Sequence, residues 1–99
     1  MRSYKMINEP KRIYIEVDGH IDLEPMYQEA KGKLAVCDEI QLLGEQFLPY
    51  KTISEGICRE KPFKLVMILN ESVYIECGHK KTLNILEEVL AEGELKWGF

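Results

Sequence analysis

The sequence predicts an α+β domain, a two-layer sandwich in which two helices cover one face of a mainly antiparallel sheet. Residues 12–17 and 72–77 alternate between apolar and polar side chains, the pattern of half-buried strands. Residues 26–47 and 83–90 carry apolar side chains at steps of three or four, which is the period of a helix. A chain of 99 residues is long enough for one core between two layers, so we expect a single compact domain over residues 1–99.

The first predicted strand covers residues 12–17 and ends at Asp18-Gly19, where glycine accepts a positive φ. An additional short strand within residues 3–7 is left open. The alternation divides the strand into an inward set of Ile13, Ile15 and Val17 and an outward set of Tyr14 and Glu16.

A long helix is predicted next, from about Pro25 to Leu48, because proline suits a first helical position and Pro49 stops the helix. Gly32 weakens this helix, and whether it breaks the helix is left open. The apolar stripe consists of Met26, Ala30, Leu34, Cys37, Ile40, Leu43 and Phe47.

The second half of the chain predicts a three-strand meander and a final helix. The apolar run at residues 64–69 lacks alternation and therefore predicts a central strand that is covered on both faces. In chain order the elements are an edge strand at 50–60, a turn at Lys61-Pro62, the central strand at 64–69, a turn at Asn70-Glu71, an alternating strand at 72–77 and a helix at 80–92. The predicted order is β-α-β-β-β-α.

Composition limits the class of protein and of partner. The 45% hydrophobic and 30% charged residues are typical of a folded soluble protein, and the net charge of −4 weighs against nucleic acid as the main partner. The longest uninterrupted apolar run, residues 65–69, is too short to span a membrane, and the N-terminal residues lack the apolar segment of a signal peptide. Three cysteines without a CxxC pair favour reduced thiols, and we expect a cytoplasmic protein without a membrane partner.

A few proline, arginine and glycine positions carry a resemblance to a known fold. Residues 49–80 read PYKTISEGICREKPFKLVMILNESVYIECGHK, with a helix-closing proline, an arginine-then-proline turn, and a strand that ends in glycine before a helix. This layout resembles one half-repeat of the TATA-box-binding protein fold, and HIDLEPM at 20–26 is similar to its strand-to-helix junction. The resemblance implies the fold alone, because the phenylalanines that kink DNA in that family are replaced by Leu69 and by Thr52 or Ile53.

Two similar stretches, RIYIEVDGH at 12–20 and SVYIECGH at 72–79, raise the question of a metal site. Asp18, His20, Cys77 and His79 are candidate ligands because carboxylate, imidazole and thiolate all bind zinc. Cys77-x-His79 lacks the spacing that fixes two ligands in one site. We therefore favour the interpretation that each Gly-His pair ends a strand and begins a helix, with the histidine near the helix cap.

Catalysis has little support in the sequence. Cys37, Cys58 and Cys77 lie in or beside apolar patterns, where cysteine behaves as a small inert hydrophobe. No third group orients a Cys77–His79 dyad, and no motif for a phosphate or a cofactor is present. We expect no cofactor and no enzymatic activity.

The sheet face opposite the helices is the predicted interaction surface. Aromatic and aliphatic side chains on an open sheet form a patch of the kind that marks protein interfaces. If the two alternating strands bring their glutamates together, these require a compensating cation or a raised pKa, but we favour the alternative that the two glutamates lie far enough apart to be hydrated. A competing interpretation is that the N-terminal segment, or the tail with Trp97 and Phe99, folds across this face and buries it. The predicted interface residues are Tyr14, Glu16, Val66, Ile68, Tyr74 and Glu76.

The sequence thus predicts a binding or regulatory domain that contacts another protein or a second copy of itself. One alternative is a nucleic-acid-binding module of the TATA-binding-protein-like fold, which requires its lysines to gather on one side. A second alternative is a small metal-binding module at His20, Cys77 and His79. The lysines that the first alternative requires are Lys31, Lys33, Lys51, Lys61, Lys64, Lys80 and Lys81.

Overall fold

The computed structural model describes residues 4–8, 11–17 and 23–91, with side chains described for residues 11–15 and 23–91. Within these residues the chain forms strands and helices in the order β-β-α-β-β-β-β-α. The elements are β1 (Tyr4–Asn8), β2 (Arg12–Val17), α1 (Leu23–Ala35), β3 (Ile40–Leu48), β4 (Lys51–Cys58), β5 (Lys61–Ile68), β6 (Ser72–Glu76) and α2 (Lys80–Ala91).

The described strands form a single antiparallel sheet in the order β1-β2-β6-β5-β4-β3. Helix α1 packs on β3, β5 and β6, α2 packs on β2, and the two helices contact each other. The predicted α+β sandwich, with an antiparallel sheet under two helices, is therefore confirmed.

The predicted long helix from Pro25 to Leu48 is wrong in its second half. Helix α1 ends at Ala35, without a break at Gly32, and residues 40–48 form strand β3. A β-bulge between Leu42 and Gly44 adds one residue to β3, so its inward side chains lie at 40, 42, 45 and 47 instead of at every second position. This interruption removes the alternation that signals a strand, and the spacing that remains resembles that of a helix.

The alternation predicted for β2 and β6 is confirmed. Ile13 and Ile15 of β2 and Val73 and Ile75 of β6 lie in the core, each with at most 3% of its surface exposed. The predicted central strand is also confirmed, because Leu65 is buried under the helices and Val66 is buried on the opposite face. From the helices, the core receives chiefly Met26, Tyr27, Ala30, Leu34, Leu83, Leu86 and Leu90.

The hairpin turns account for the left-handed residues of the described chain. Arg59 and Glu60 connect β4 to β5 with φ values of 46° and 69°, as a type I′ turn requires. The turn predicted at Lys61-Pro62 therefore lies two residues too late, because both of those residues belong to β5. Asn70, with φ of 59°, turns the chain between β5 and β6, as predicted.

Gly56 in β4 lies opposite Phe63 in β5, and the Phe63 ring occupies the space that a side chain at Gly56 would need. A Cβ atom at position 56 would lie 2.5 Å from Cζ of Phe63 and 3.1 Å from the backbone oxygen of Gln41. The aromatic ring thus shields the glycine backbone, and this packing joins β3, β4 and β5.

We predict that Gly56→Ala destabilises the protein by about 1–3 kcal/mol, because the buried Phe63 ring must leave its position to admit the methyl group. Gly44→Ala is the matched control, since a Cβ atom there has no neighbour within 4 Å. Urea unfolding of both variants measures the difference. Equal stability of the two variants would contradict the packing described for Phe63.

Candidate interaction surface

The outer sheet face contains a row of apolar and aromatic side chains that crosses neighbouring strands. The strand register places Tyr14 opposite Tyr74, Tyr74 opposite Val66, and Val66 opposite Ile53. The two tyrosine rings lie 5.2 Å apart between centroids, at an interplanar angle of 43°. This is the separation of interacting aromatic pairs, so the row stabilises the sheet from its outer side.

A second row on the same face alternates in charge. Arg12 lies opposite Glu76, Glu76 opposite Lys64, and Lys64 opposite Glu55. The Arg12 guanidinium bonds to Glu76 (Nε to Oε2, 3.0 Å), donates from Nη1 to the hydroxyl of Tyr14 at 2.8 Å, and lies 4.6 Å from the ring centroid of Tyr74. The hydrogen bonds to Tyr14 and Glu76 raise the pKa of Arg12 above its usual value.

The strand register also shows where the two glutamates of the predicted pair lie. Glu76 lies opposite Arg12 and Glu16 lies opposite Lys5, so the two glutamates are not cross-strand neighbours. The compensating cation expected for Glu76 is Arg12 of the same chain.

The predicted interface residues differ in exposure. Tyr74 and Val66 are only 5% and 2% exposed, whereas Tyr14, Ile68 and Glu76 are partly exposed. Burial raises the pKa of the Tyr74 hydroxyl. The side chain of Glu16 lies outside the described residues, and so does the tail that, in the competing interpretation, crosses this face. Tyr74 and Val66 are therefore packed beneath the outer surface and offer little area to a partner. The exposed apolar area lies elsewhere.

That area lies at the end of the β3–β4 hairpin. Phe47 and Tyr50 are 73% and 76% exposed, and the backbone N–H of Leu69 donates to the carbonyl of Tyr50 at 3.0 Å, which brings the end of β5 beside the turn. We call these residues the hairpin surface. It consists of Phe47, Leu48, Tyr50 and Leu69, and among the described residues Leu43, at the bulge of β3, and Val36 are the other large apolar side chains that are similarly exposed.

Strand β3 is an edge of the described sheet and pairs there with β4 alone. Residues 40–48 contain no lysine, arginine or proline, and Glu45 is their single charged residue. Edge strands are commonly protected from further pairing by such residues, by bulges or by inward-pointing charges. Strand β3 has the bulge and the inward-pointing Glu45, but no described strand pairs with the open side of the segment around Phe47.

Glu45 belongs to a polar cluster between α1 and the β3–β4 hairpin. The Tyr27 hydroxyl lies 2.5 Å from both Oε2 of Glu45 and Oγ of Ser54, and Ser54 donates to Glu45 at 3.2 Å. Nζ of Lys31 lies 2.9 Å from the second oxygen of Glu45. The sequence does not predict this cluster, because Glu45 falls within the predicted helix and nothing in the sequence marks Tyr27 and Ser54 as its partners.

The electrostatics of the cluster indicate a structural role. Burial opposes ionisation of Glu45, but the donors on Tyr27 and Lys31 outweigh that effect and lower the pKa of Glu45 below its ordinary value. Burial, with Glu45 as the nearest acceptor, raises the pKa of Tyr27. Tyr27 is fully buried and Ser54 is 2% exposed, so a substrate has no access to either hydroxyl.

His79 caps helix α2, as the strand-to-helix interpretation predicts. The ring Nδ1 accepts the backbone N–H of Thr82 at 3.3 Å and lies 2.8 Å from the Thr82 hydroxyl, while the His79 carbonyl accepts from the N–H of Leu83. The buried thiol of Cys77 donates to the same carbonyl at 3.7 Å. The described residues hold no group of three or more potential metal ligands, and Asp18 and His20 lie outside them.

One thiol and one surface depression of the described residues bear on the question of catalysis. Burial raises the pKa of the Cys58 thiol, which keeps it protonated and unreactive. A depression of about 480 Å³ lies at the end of the sheet opposite the β3–β4 turn. Cys77 is part of its lining, but this residue is only 2% exposed and its thiol donates to the His79 carbonyl. The lining also includes Lys11, Leu43, Glu55, Lys64, Glu76 and Gly78.

The lysines named by the nucleic-acid alternative are distributed over different elements. Lys31 is bound to Glu45 between the layers, and Lys33 donates to the carbonyl of Leu90 in α2. Lys64 lies on the outer face between Glu76 and Glu55.

In the described part of the chain, no helix is long and apolar enough to span a membrane.

The chain matches no family model, and comparisons with curated proteins and with solved structures found no match. The resemblance to the TATA-box-binding protein fold therefore stays a prediction.

We predict that Glu45→Gln flattens the loss of stability in acid. Because the folded pKa of Glu45 is lowered, its contribution is present above the unfolded value near 4.5 and is lost as the pH falls through the folded pKa. Unfolding free energies measured between neutral and acidic pH provide the test, with Glu55→Gln as an exposed control. An identical pH dependence of Glu45→Gln and the native chain would contradict the assignment.

We predict that His79→Ala lowers the stability by about 0.5–2 kcal/mol through loss of the helix cap, and that His79→Asn retains most of it. Thermal unfolding of the two variants, with and without added zinc, separates capping from metal binding. A stabilisation by zinc that both variants lose would favour the metal interpretation.

Proposed function

We propose that this chain is a non-enzymatic protein-binding domain whose main contact is the hairpin surface together with the adjoining outer sheet face. The observation that supports the proposal is the concentration of exposed apolar side chains at one end of the sheet. Contiguous apolar patches of this kind, rimmed by polar residues, mark interaction sites on soluble proteins.

The aromatic residues of the hairpin surface are suited to central contacts. Phe47 and Tyr50 provide large, rigid side chains that lose little conformational freedom on binding, and tyrosine adds a hydroxyl for hydrogen bonding. Ile68 and Tyr14 on the outer face, with Glu16 and Glu76, are proposed as the surrounding rim. Val66 and Tyr74 hold that face rigid from below.

The two alternatives receive less support. Lys64 and Arg12 on the outer face alternate with carboxylates, which weakens attraction to phosphates. Cys77 and His79 already have partners in the strand-to-helix junction. A cytoplasmic location is part of the proposal, and it is supported by unpaired thiols at Cys37, Cys58 and Cys77.

A photo-crosslinking amino acid introduced at position 50 tests the proposal in cells of the source organism. We expect Tyr50 replaced in this way to give a discrete crosslinked protein adduct, because its side chain is 76% exposed within the hairpin surface. Position 36 is the control, since Val36 is 82% exposed outside that surface. The mass of the adduct distinguishes a different protein from a second copy.

The proposal fails if position 50 yields no adduct or the same adducts as position 36. Adducts with nucleic acid at position 50 would instead favour the first alternative.

A further inference from the structure

We propose that the partner is a second copy of this chain, which pairs its β3 with the β3 of the first copy in an antiparallel arrangement around a two-fold axis. This inference rests on the proposed function and names the partner of the same surface. It extends the described sheet across two copies at its β3 edge.

The backbone of β3 is prepared for this pairing. Leu48 and Lys51 flank a two-residue turn and close the hairpin, so their N–H and C=O groups face each other. Because the direction of the backbone groups alternates along β3, the N–H and C=O of Gln46 point toward β4. The N–H and C=O of Glu45 and Phe47 point toward the open edge of the sheet. The open groups of Glu45 and Phe47 are a ready template for another strand.

Charge favours a second copy of β3 over a charged strand. The single charge on β3 is Glu45, which is already compensated by Lys31 within its own chain. An axis through Gln46 places Glu45 opposite Phe47 of the other copy, and it avoids placing the two Glu45 side chains opposite each other. Four backbone hydrogen bonds form in this register, two for each pairing of Glu45 with Phe47.

The area available predicts a weak dimer. A fully exposed aromatic side chain presents roughly 150–250 Å², so the hairpin surface offers on the order of 500 Å² per copy, against about 800 Å² in a standard interface. The backbone edge adds to this area. We therefore expect a dissociation constant on the order of 10–100 µM.

Sedimentation velocity of the purified chain over a concentration series tests the inference. We expect a reversible dimer of the 11.5 kDa chain. Phe47→Lys and Phe47→Pro are each expected to weaken the dimer about tenfold or more. The lysine adds a charge to the edge, and the proline removes the N–H that points to the open edge without removing a hydrogen bond to β4. Val36→Lys, an equally exposed change outside the hairpin surface, is expected to leave the dimer intact.

Two further measurements keep the result independent of folding defects. Gln46→Cys is expected to form a disulfide between copies on mild oxidation, because the axis brings the two positions to about 4.5 Å between Cα atoms. Gln41→Cys, an exposed position on the same strand, lies far from its copy in this register and is expected to remain unlinked. In the native chain, amide exchange at Phe47 is expected to slow with concentration, while exchange at Gln46 stays constant.

A chain that sediments as a monomer at all concentrations, or a dimer that survives Phe47→Pro, overturns the inference. A monomer that still gives a foreign-protein adduct at position 50 overturns the second copy alone and leaves the protein-binding function standing. A monomer without any adduct at position 50 overturns both.

Discussion

The structure depends on how much of the sheet two helices can cover. Helices are about 10 Å wide, so two of them side by side cover roughly 20 Å. The described strands, at about 4.8 Å spacing, span more than that from β1 to β3. Helix α1 packs on β3, β5 and β6 and α2 packs on β2, and the side chains that are fully buried beneath them include Leu65, Ile75 and Ile13. The turn end of the β3–β4 hairpin, where Phe47 and Tyr50 are exposed, lies at the margin of the core.

The side chains at this margin change from polar and hydrogen-bonded to apolar and exposed along β3. Glu45 faces inward but reaches Tyr27 and Lys31 on α1, so its charge is held by donors at the boundary. Two positions further along β3, Phe47 faces the same side beyond the reach of the helix and is exposed. The polar cluster and the hairpin surface thus share one geometric cause.

Much of this architecture is predictable from sequence, because strands with one buried face carry a regular alternation. Ile13, Ile15, Val73 and Ile75 follow it, and the helix that contains Leu83 and Leu86 is equally regular. Strand β3 is not predictable in the same way, since the bulge at Leu42 and Gly44 disrupts the pattern.

The candidate site is only partly predictable. Which side Tyr14 and Tyr74 face follows from alternation, but the exposure of Tyr74 depends on Arg12 and its other neighbours in space. The hairpin surface could not be predicted while residues 40–48 were interpreted as helical. Glu45 and Ser54 meet Tyr27 only through tertiary packing, which leaves no local signature.

The bulge in β3 also sets a length limit. The register of β3 changes between Leu42 and Gly44. An incoming strand of any origin therefore finds regular backbone only over residues 44–48, which span roughly 17 Å at about 3.4 Å per residue. The segments that stack in fibrils are typically about six or seven residues long, which exceeds this regular stretch. The single inserted residue thus leaves an edge segment that is long enough to pair with one short strand and too irregular to start a growing filament.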